Sequence, residues 1–121
     1  MVSRGLRRSS DDHEVTVLSY DASARELVFD GTRSGVLGID DFCGHVPVER
    51  APFGLKPDED LRLRIYVDGP VVEVFANDRQ AICRRVYPLR PGSEGVVLSA
   101  DANPVTCKVL KAWEIAPANP Y

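Results

Sequence analysis

The sequence is poor in most of the features that announce a function. No apolar run approaches the ~20 residues that cross a bilayer as a helix, so no membrane partner is expected. No segment carries the i, i+3, i+4, i+7 spacing of an amphipathic helix, and no internal repeat is present. A net charge of −3 offers nothing to a nucleic acid, and the one basic cluster, Arg4, Arg7 and Arg8, is followed at once by Asp11 and Asp12. The start, Met1-Val2-Ser3-Arg4, lacks the apolar stretch of a secretory signal. Histidine is limited to two residues, His13 and His45, and cysteine to three, Cys43, Cys83 and Cys107. A zinc site needs about four ligands at recognisable spacing, which the lone Cys43-x-His45 pair does not approach. No metal and no cofactor are expected. No glycine-rich phosphate loop occurs, and Ser9, Ser10 and Ser34 have no His-Asp set placed to activate them. The odd cysteine count leaves at least one free thiol. Cys83 and Cys107 fall in predicted strands, where they read as small buried hydrophobes. That usage leans toward a reducing, cytoplasmic location.

Strand signals run from end to end. Leu61, Leu63, Ile65 and Val67 alternate with Arg62, Arg64 and Tyr66, the period of two of a strand with one buried face. Asp68-Gly69-Pro70 is turn chemistry, Gly69 for its tolerance of positive φ and Pro70 for its fixed one. A second strand covers 71–76, rich in β-branched and aromatic residues. Asn77-Asp78-Arg79 turns the chain again, and a third strand covers 81–87 before Pro88. Upstream, 15–20 and 26–29 predict a hairpin around residues 21–25. Downstream, 94–99 and 105–115 predict another, joined through Asp101-Ala102-Asn103-Pro104. Between Gly35 and Asp60 glycine and proline punctuate short runs, with Phe42 and residues 46–48 able to supply a brief strand. Many short strands with turn residues between them predict an all-β fold, a sandwich of two antiparallel sheets in one domain.

The wording of the meander is specific. Val-Glu-Val-Phe-Ala-Asn-Asp (72–78), preceded by Leu-Arg-Ile-Tyr-Val-Asp (63–68), resembles the C-terminal β-sandwich of glycoside hydrolase family 32, the β-fructosidases. Tyr20-Asp21, then Leu27-Val28-Phe29-Asp30 and Arg33-Ser34-Gly35, resemble the family's Tyr-Asp turn and Asp-x-x-Arg-Ser-Gly exit. Ala51-Pro52, the run 95–98 and the final strand through Trp113 and Ile115 continue the order. Two positions depart from the pattern: Gly69-Pro70 replaces a more polar turn, and Arg79 stands where glycine is expected. The resemblance implies a jelly-roll or concanavalin-like sandwich over 15–116, flanked by a partly disordered segment 1–14 and a tail 117–121. It also implies that the opening strands of the sandwich are missing, since little sequence precedes Val17.

Family 32 hydrolysis resembles the retaining two-carboxylate template. In the family those carboxylates lie on a separate propeller, in Trp-x-Asn-Asp-Pro, Arg-Asp-Pro and Glu-Cys motifs. None of the three occurs here, so the resemblance assigns no catalytic residue. It implies a non-catalytic module of an enzyme acting on sucrose, levan or inulin, whose partners are the catalytic propeller domain and a second copy in a homodimer. Competing classes are a stand-alone carbohydrate-binding module, with a fructan as ligand, and a fragment with only a structural or interaction role. Of the acidic residues, those in 58–60 read as solvated. Glu73, between Val72 and Val74, reads with Phe75 as an interface residue. Tyr66, Phe75 and Tyr87 are the candidate sugar-binding rings. Tyr20 and Trp113 read mainly as core, with Trp113 inward beside Val109 and Ile115.

Overall fold

A computed structural model describes residues 2–8 (backbone only), 14–34, 47–86, 95–101 and 103–116. Eight strands form two antiparallel sheets. β1 (Val2–Arg8), β2 (Val15–Asp21), β3 (Glu26–Arg33), β4 (Val48–Pro52) and β8 (Gly95–Ala100) make a five-stranded sheet in the order β4-β3-β2-β1-β8. β5 (Leu63–Asp68), β6 (Val71–Ala76) and β7 (Gln80–Arg85) make a three-stranded meander in that order. No helix occurs among the described residues. The expected all-β class and two antiparallel sheets are what the structure shows.

The turns follow their residues. Asp21 Oδ1 accepts from the backbone N–H groups of Ser23 and Ala24, both at 3.0 Å, and closes the β2–β3 hairpin. Gly69 takes a φ of 53° at the β5–β6 turn, where Asp68 pairs with Val71. Asn77 and Asp78 both have positive φ, 47° and 57°, the type I′ pattern that Asn and Asp tolerate best after Gly.

The core lies between the sheets. Leu18 and Tyr20 of β2, Leu27 and Phe29 of β3, and Ala51 of β4 meet Val72, Val74 and Ala76 of β6 and Ile82 of β7. On β6 the alternation is strict: Val72 and Val74 are 0 % exposed, while Glu73 and Phe75 face out. Glu49 of β4 and Arg84 of β7 tie the sheet edges by an ion pair at 3.0 Å. A buried hydroxyl pair, Thr16 Oγ1 and Ser34 Oγ at 2.7 Å, gives two buried polar groups a partner.

Several expectations are corrected. Residues 2–8 form a strand between β2 and β8; their alternation is too weak to announce it, and backbone pairing on both sides supplies the order. Residues 105–115 form no strand, because none of the described strands pairs with them. Trp113 is therefore 70 % exposed rather than inward. Cys107 in that segment, and Cys83 on the outer side of β7, are exposed free thiols rather than buried ones. The strand expected over 81–87 is β7, Gln80–Arg85. β5 buries its inner face only in part: Leu63 and Ile65 are half-buried and Val67 is exposed, because no further strand flanks it among the described residues. In place of the brief strand expected at 46–48, the structure has β4 over Val48–Pro52, set by its pairing with β3, while Phe42 lies outside the described residues.

Candidate binding face and the turn lock

The outer face of the meander collects the chemistry. Alternation turns Arg64 and Tyr66 of β5, Glu73 and Phe75 of β6, and Cys83 of β7 to the same side. Register sets Arg64 opposite Phe75, and Tyr66 opposite Glu73, which is itself opposite Cys83. Tyr66 and Phe75 are diagonal neighbours and pack edge to face, ring centroids 5.9 Å apart at 79°, the arrangement that aromatic quadrupoles favour. Arg64 holds Asp78 at 3.0 Å, and Arg62 approaches the same carboxylate at 3.8 Å. Arg64, Tyr66, Glu73, Phe75 and Asp78 line an open, shallow depression. Such a surface can stack a ring and offer hydrogen bonds at its rim. It has no enclosing wall to exclude water from a reacting bond.

Tyr66, Phe75 and Glu73 are thus brought together, and Phe75 is 37 % exposed. Tyr87 lies outside the described residues. Tyr20 is buried and packs edge to face on Phe53 at 5.8 Å, and its hydroxyl accepts from the Leu55 N–H at 3.3 Å. It is a core residue with a satisfied polar tip. Among the described residues, no group of three His, Cys, Asp or Glu side chains could hold a metal ion.

A second constellation fastens a loop to the β6–β7 turn. Arg79, at the end of the β6–β7 turn, forks onto the Glu59 carboxylate through both terminal nitrogens, the Nη2–Oε2 contact being 2.8 Å. The same Nη2 donates to the Gly54 carbonyl at 2.7 Å, and the guanidinium sits 4.8 Å above the Phe53 ring centroid. Asn77 completes the lock. Its N–H donates to Arg62 O at 2.9 Å, its Oδ1 accepts from Arg62 N at 2.7 Å, and its Nδ2 donates to Glu59 Oε1 at 2.9 Å. The loop from Phe53 to Arg62 is thereby fastened to the turn. Hydrogen bonds from Arg79, from the Lys56 N–H and from Asn77 hold the Glu59 carboxyl far below the usual carboxylate range, against a smaller opposing push from desolvation. Arg79 shifts upward in response, chiefly through its bond to Glu59.

Residues 58–60 are accordingly not all solvated: Glu59 is locked, and Asp60 takes a two-oxygen contact from Lys108 Nζ at 2.7 and 2.9 Å. The sequence signal for the lock was available in one place, the arginine standing where the resemblance expects glycine.

The chain matches the family described as "Glycosyl hydrolases family 32 C terminal" over residues 5–114. It is 30 % identical over 102 residues to a levanase of Bacillus sp. (strain L7), a match covering 84 % of this chain and 11 % of that protein. Its fold is similar to that of an exo-inulinase from Aspergillus awamori, with a TM-score of 0.73 at 24 % identity, covering 82 % of this chain and 19 % of the other. The chain thus spans about a tenth of the levanase and a fifth of the inulinase chain.

Proposed function

The chain belongs to the family of C-terminal domains of glycoside hydrolase family 32, and from that premise we propose that it is a non-catalytic β-sandwich module of a β-fructosidase-type enzyme. In this reading it stabilises a separate propeller domain that acts on sucrose, levan or inulin, and it contributes to a homodimer. The observation that carries the non-catalytic part is the use made of the carboxylates. Retaining glycoside hydrolysis needs one carboxylate free to attack and another held protonated beside the leaving oxygen. Here Glu26, Glu49, Glu59, Asp60 and Asp78 are each committed to an arginine or lysine. Glu59 is pushed toward the ionised form, the opposite of what a general acid requires. The test is fructose release from sucrose, levan and inulin by the purified chain, free of host invertase. No release is expected, and clean turnover would overturn the reading.

A second reading, a carbohydrate-binding module, is favoured by one observation: the exposed Tyr66–Phe75 pair flanked by Arg64, Asp78 and Glu73. Calorimetric titration with levan and inulin oligosaccharides separates the two. Heat of binding that disappears in both Tyr66→Ala and Phe75→Ala would establish the second reading.

A further inference from the structure

β6 is the middle strand of the meander, so each of its outward side chains has a strand on either side. Register places Phe75 between Arg64 of β5 and Ala81 of β7. Two shallow depressions open on that row. One is lined by Arg64, Tyr66, Glu73, Phe75 and Asp78. The other is lined by Phe75, Asp78, Arg79, Gln80 and Ala81. Phe75 and Asp78 border both. Ala81 is exposed, and its small side chain leaves the β7 flank of the Phe75 ring uncovered.

The chemistry of this row suits a neutral polyol. Arg62 and Arg64 are balanced by Asp78 and Glu73, so the face offers a charged partner no excess of either sign. The Arg64–Asp78 pair, at 3.0 Å, has both side chains more than half exposed and sets carboxylate acceptors beside guanidinium donors. Vicinal hydroxyls of a sugar fit such a pair, one giving its proton to the carboxylate and the next accepting from the guanidinium. Phe75 offers an apolar ring to the C–H face of a sugar, and the edge-to-face contact with Tyr66 restrains that ring. Neither depression has an enclosing wall, so a single sugar unit buries little surface in either. Affinity on so open a surface accumulates along a chain of units. The row from Arg64 to Ala81 spans two strand spacings, about 10 Å, which accommodates two successive units.

We propose that the outer face of the meander is a two-unit glycan site: successive sugar units of one oligosaccharide chain straddle Phe75, and Asp78 accepts a hydroxyl from each. The site rests on the carbohydrate-binding reading above and extends it from a stacking pair to a row that measures chain length. Ala81 keeps the second depression open, and the Arg64–Asp78 pair reads the hydroxyls.

The test titrates the full chain calorimetrically with the disaccharide and the tetrasaccharide of the inulin series. The tetrasaccharide is expected to bind about tenfold more tightly or better, the worth of one or two hydrogen bonds to the added units. Ala81→Ile puts a branched side chain into the second depression at an exposed strand position. The domain stays folded by circular dichroism, and the tetrasaccharide falls to the affinity of the disaccharide. Asp78→Asn keeps the left-handed turn, φ 57°, which asparagine tolerates. It removes the charge that faces the hydroxyls, so both ligands should bind about tenfold more weakly. The ratio of the two ligands in the wild-type chain decides the matter even where a variant does not fold. No heat with either ligand would overturn both this site and the carbohydrate-binding reading. Binding that is lost in Phe75→Ala but equal for the two chain lengths, or unchanged in folded Ala81→Ile or Asp78→Asn, would overturn the two-unit site alone.

Discussion

The guanidinium of Arg79 and the ring of Phe53 are stacked, 4.8 Å from carbon to centroid, although they stand on a turn and a loop far apart in sequence. The stack is held in place by the fork from Arg79 to Glu59 and by the bond to Gly54 O. A planar guanidinium can serve the ring face and two carboxylate oxygens at once, which an ammonium cannot. Arg79→Ala should therefore lower the melting temperature and release the 53–62 loop, and Arg79→Lys should recover only part of the loss. Hydrogen exchange of the Leu55 and Glu59 amides measures the loop directly. Equal protection in wild type and Arg79→Ala would show that the loop is held by other contacts.

Alternation on β6 makes a sharp contrast between adjacent residues. Val74 is fully buried against the larger sheet, whereas Glu73 faces solvent on the aromatic face. Placing a carboxylate at 74 leaves a charge without a partner in the core, so Val74→Asp should abolish cooperative folding. Glu73→Gln should change stability by no more than about 0.5 kcal/mol. Thermal melts followed by circular dichroism give both values, and comparable losses in the two would mean a register slipped by one residue.

Gly69 isolates a backbone effect from a packing effect. Its φ of 53° lies in the left-handed region, and a Cβ added there would meet nothing within 4 Å. Any loss in Gly69→Ala is thus conformational, about 1 kcal/mol. Gly69→Asn should lose less, since asparagine tolerates that region. Urea denaturation of the two variants at neutral pH checks the order.

The meander could be read from the chain because its information is local: strict alternation in 63–67, β-branched and aromatic residues in 71–76, and turn residues whose φ the structure then displays at Gly69, Asn77 and Asp78. Grouping Tyr66, Glu73 and Phe75 on one face needed only the strand period and the hairpin register. Of the Glu59–Arg79–Asn77 lock only Arg79, standing where glycine is expected, is marked in the sequence; its partners are not, because the lock joins side chains of a loop and a turn about 20 residues apart and no period connects them. The opposite failure occurred at 105–115, where the alternation is genuine but the strand is not. Alternation reports that a segment suits a sheet, and pairing requires an edge that receives it. An inward Trp113 presupposes that pairing; without it the ring lies in solvent.

The lock also sets a pH dependence. Hydrogen bonds from Arg79, the Lys56 N–H and Asn77 depress the folded-state pKa of Glu59 below the ordinary value of 4.5. Between the two values the unfolded chain binds a proton that the native chain does not, so ΔG of unfolding falls as pH falls. The contribution of Glu59 is fully present above 4.5 and is lost progressively below it, as the pH approaches the folded-state value. Urea denaturation from about pH 6 down to about pH 3 should show this slope in the wild-type chain. Glu59→Gln keeps a side-chain acceptor for Arg79 but cannot ionise, so it should begin less stable at about pH 6 and lose less on acidification. Parallel pH profiles for the two proteins would assign the acid sensitivity to other carboxylates.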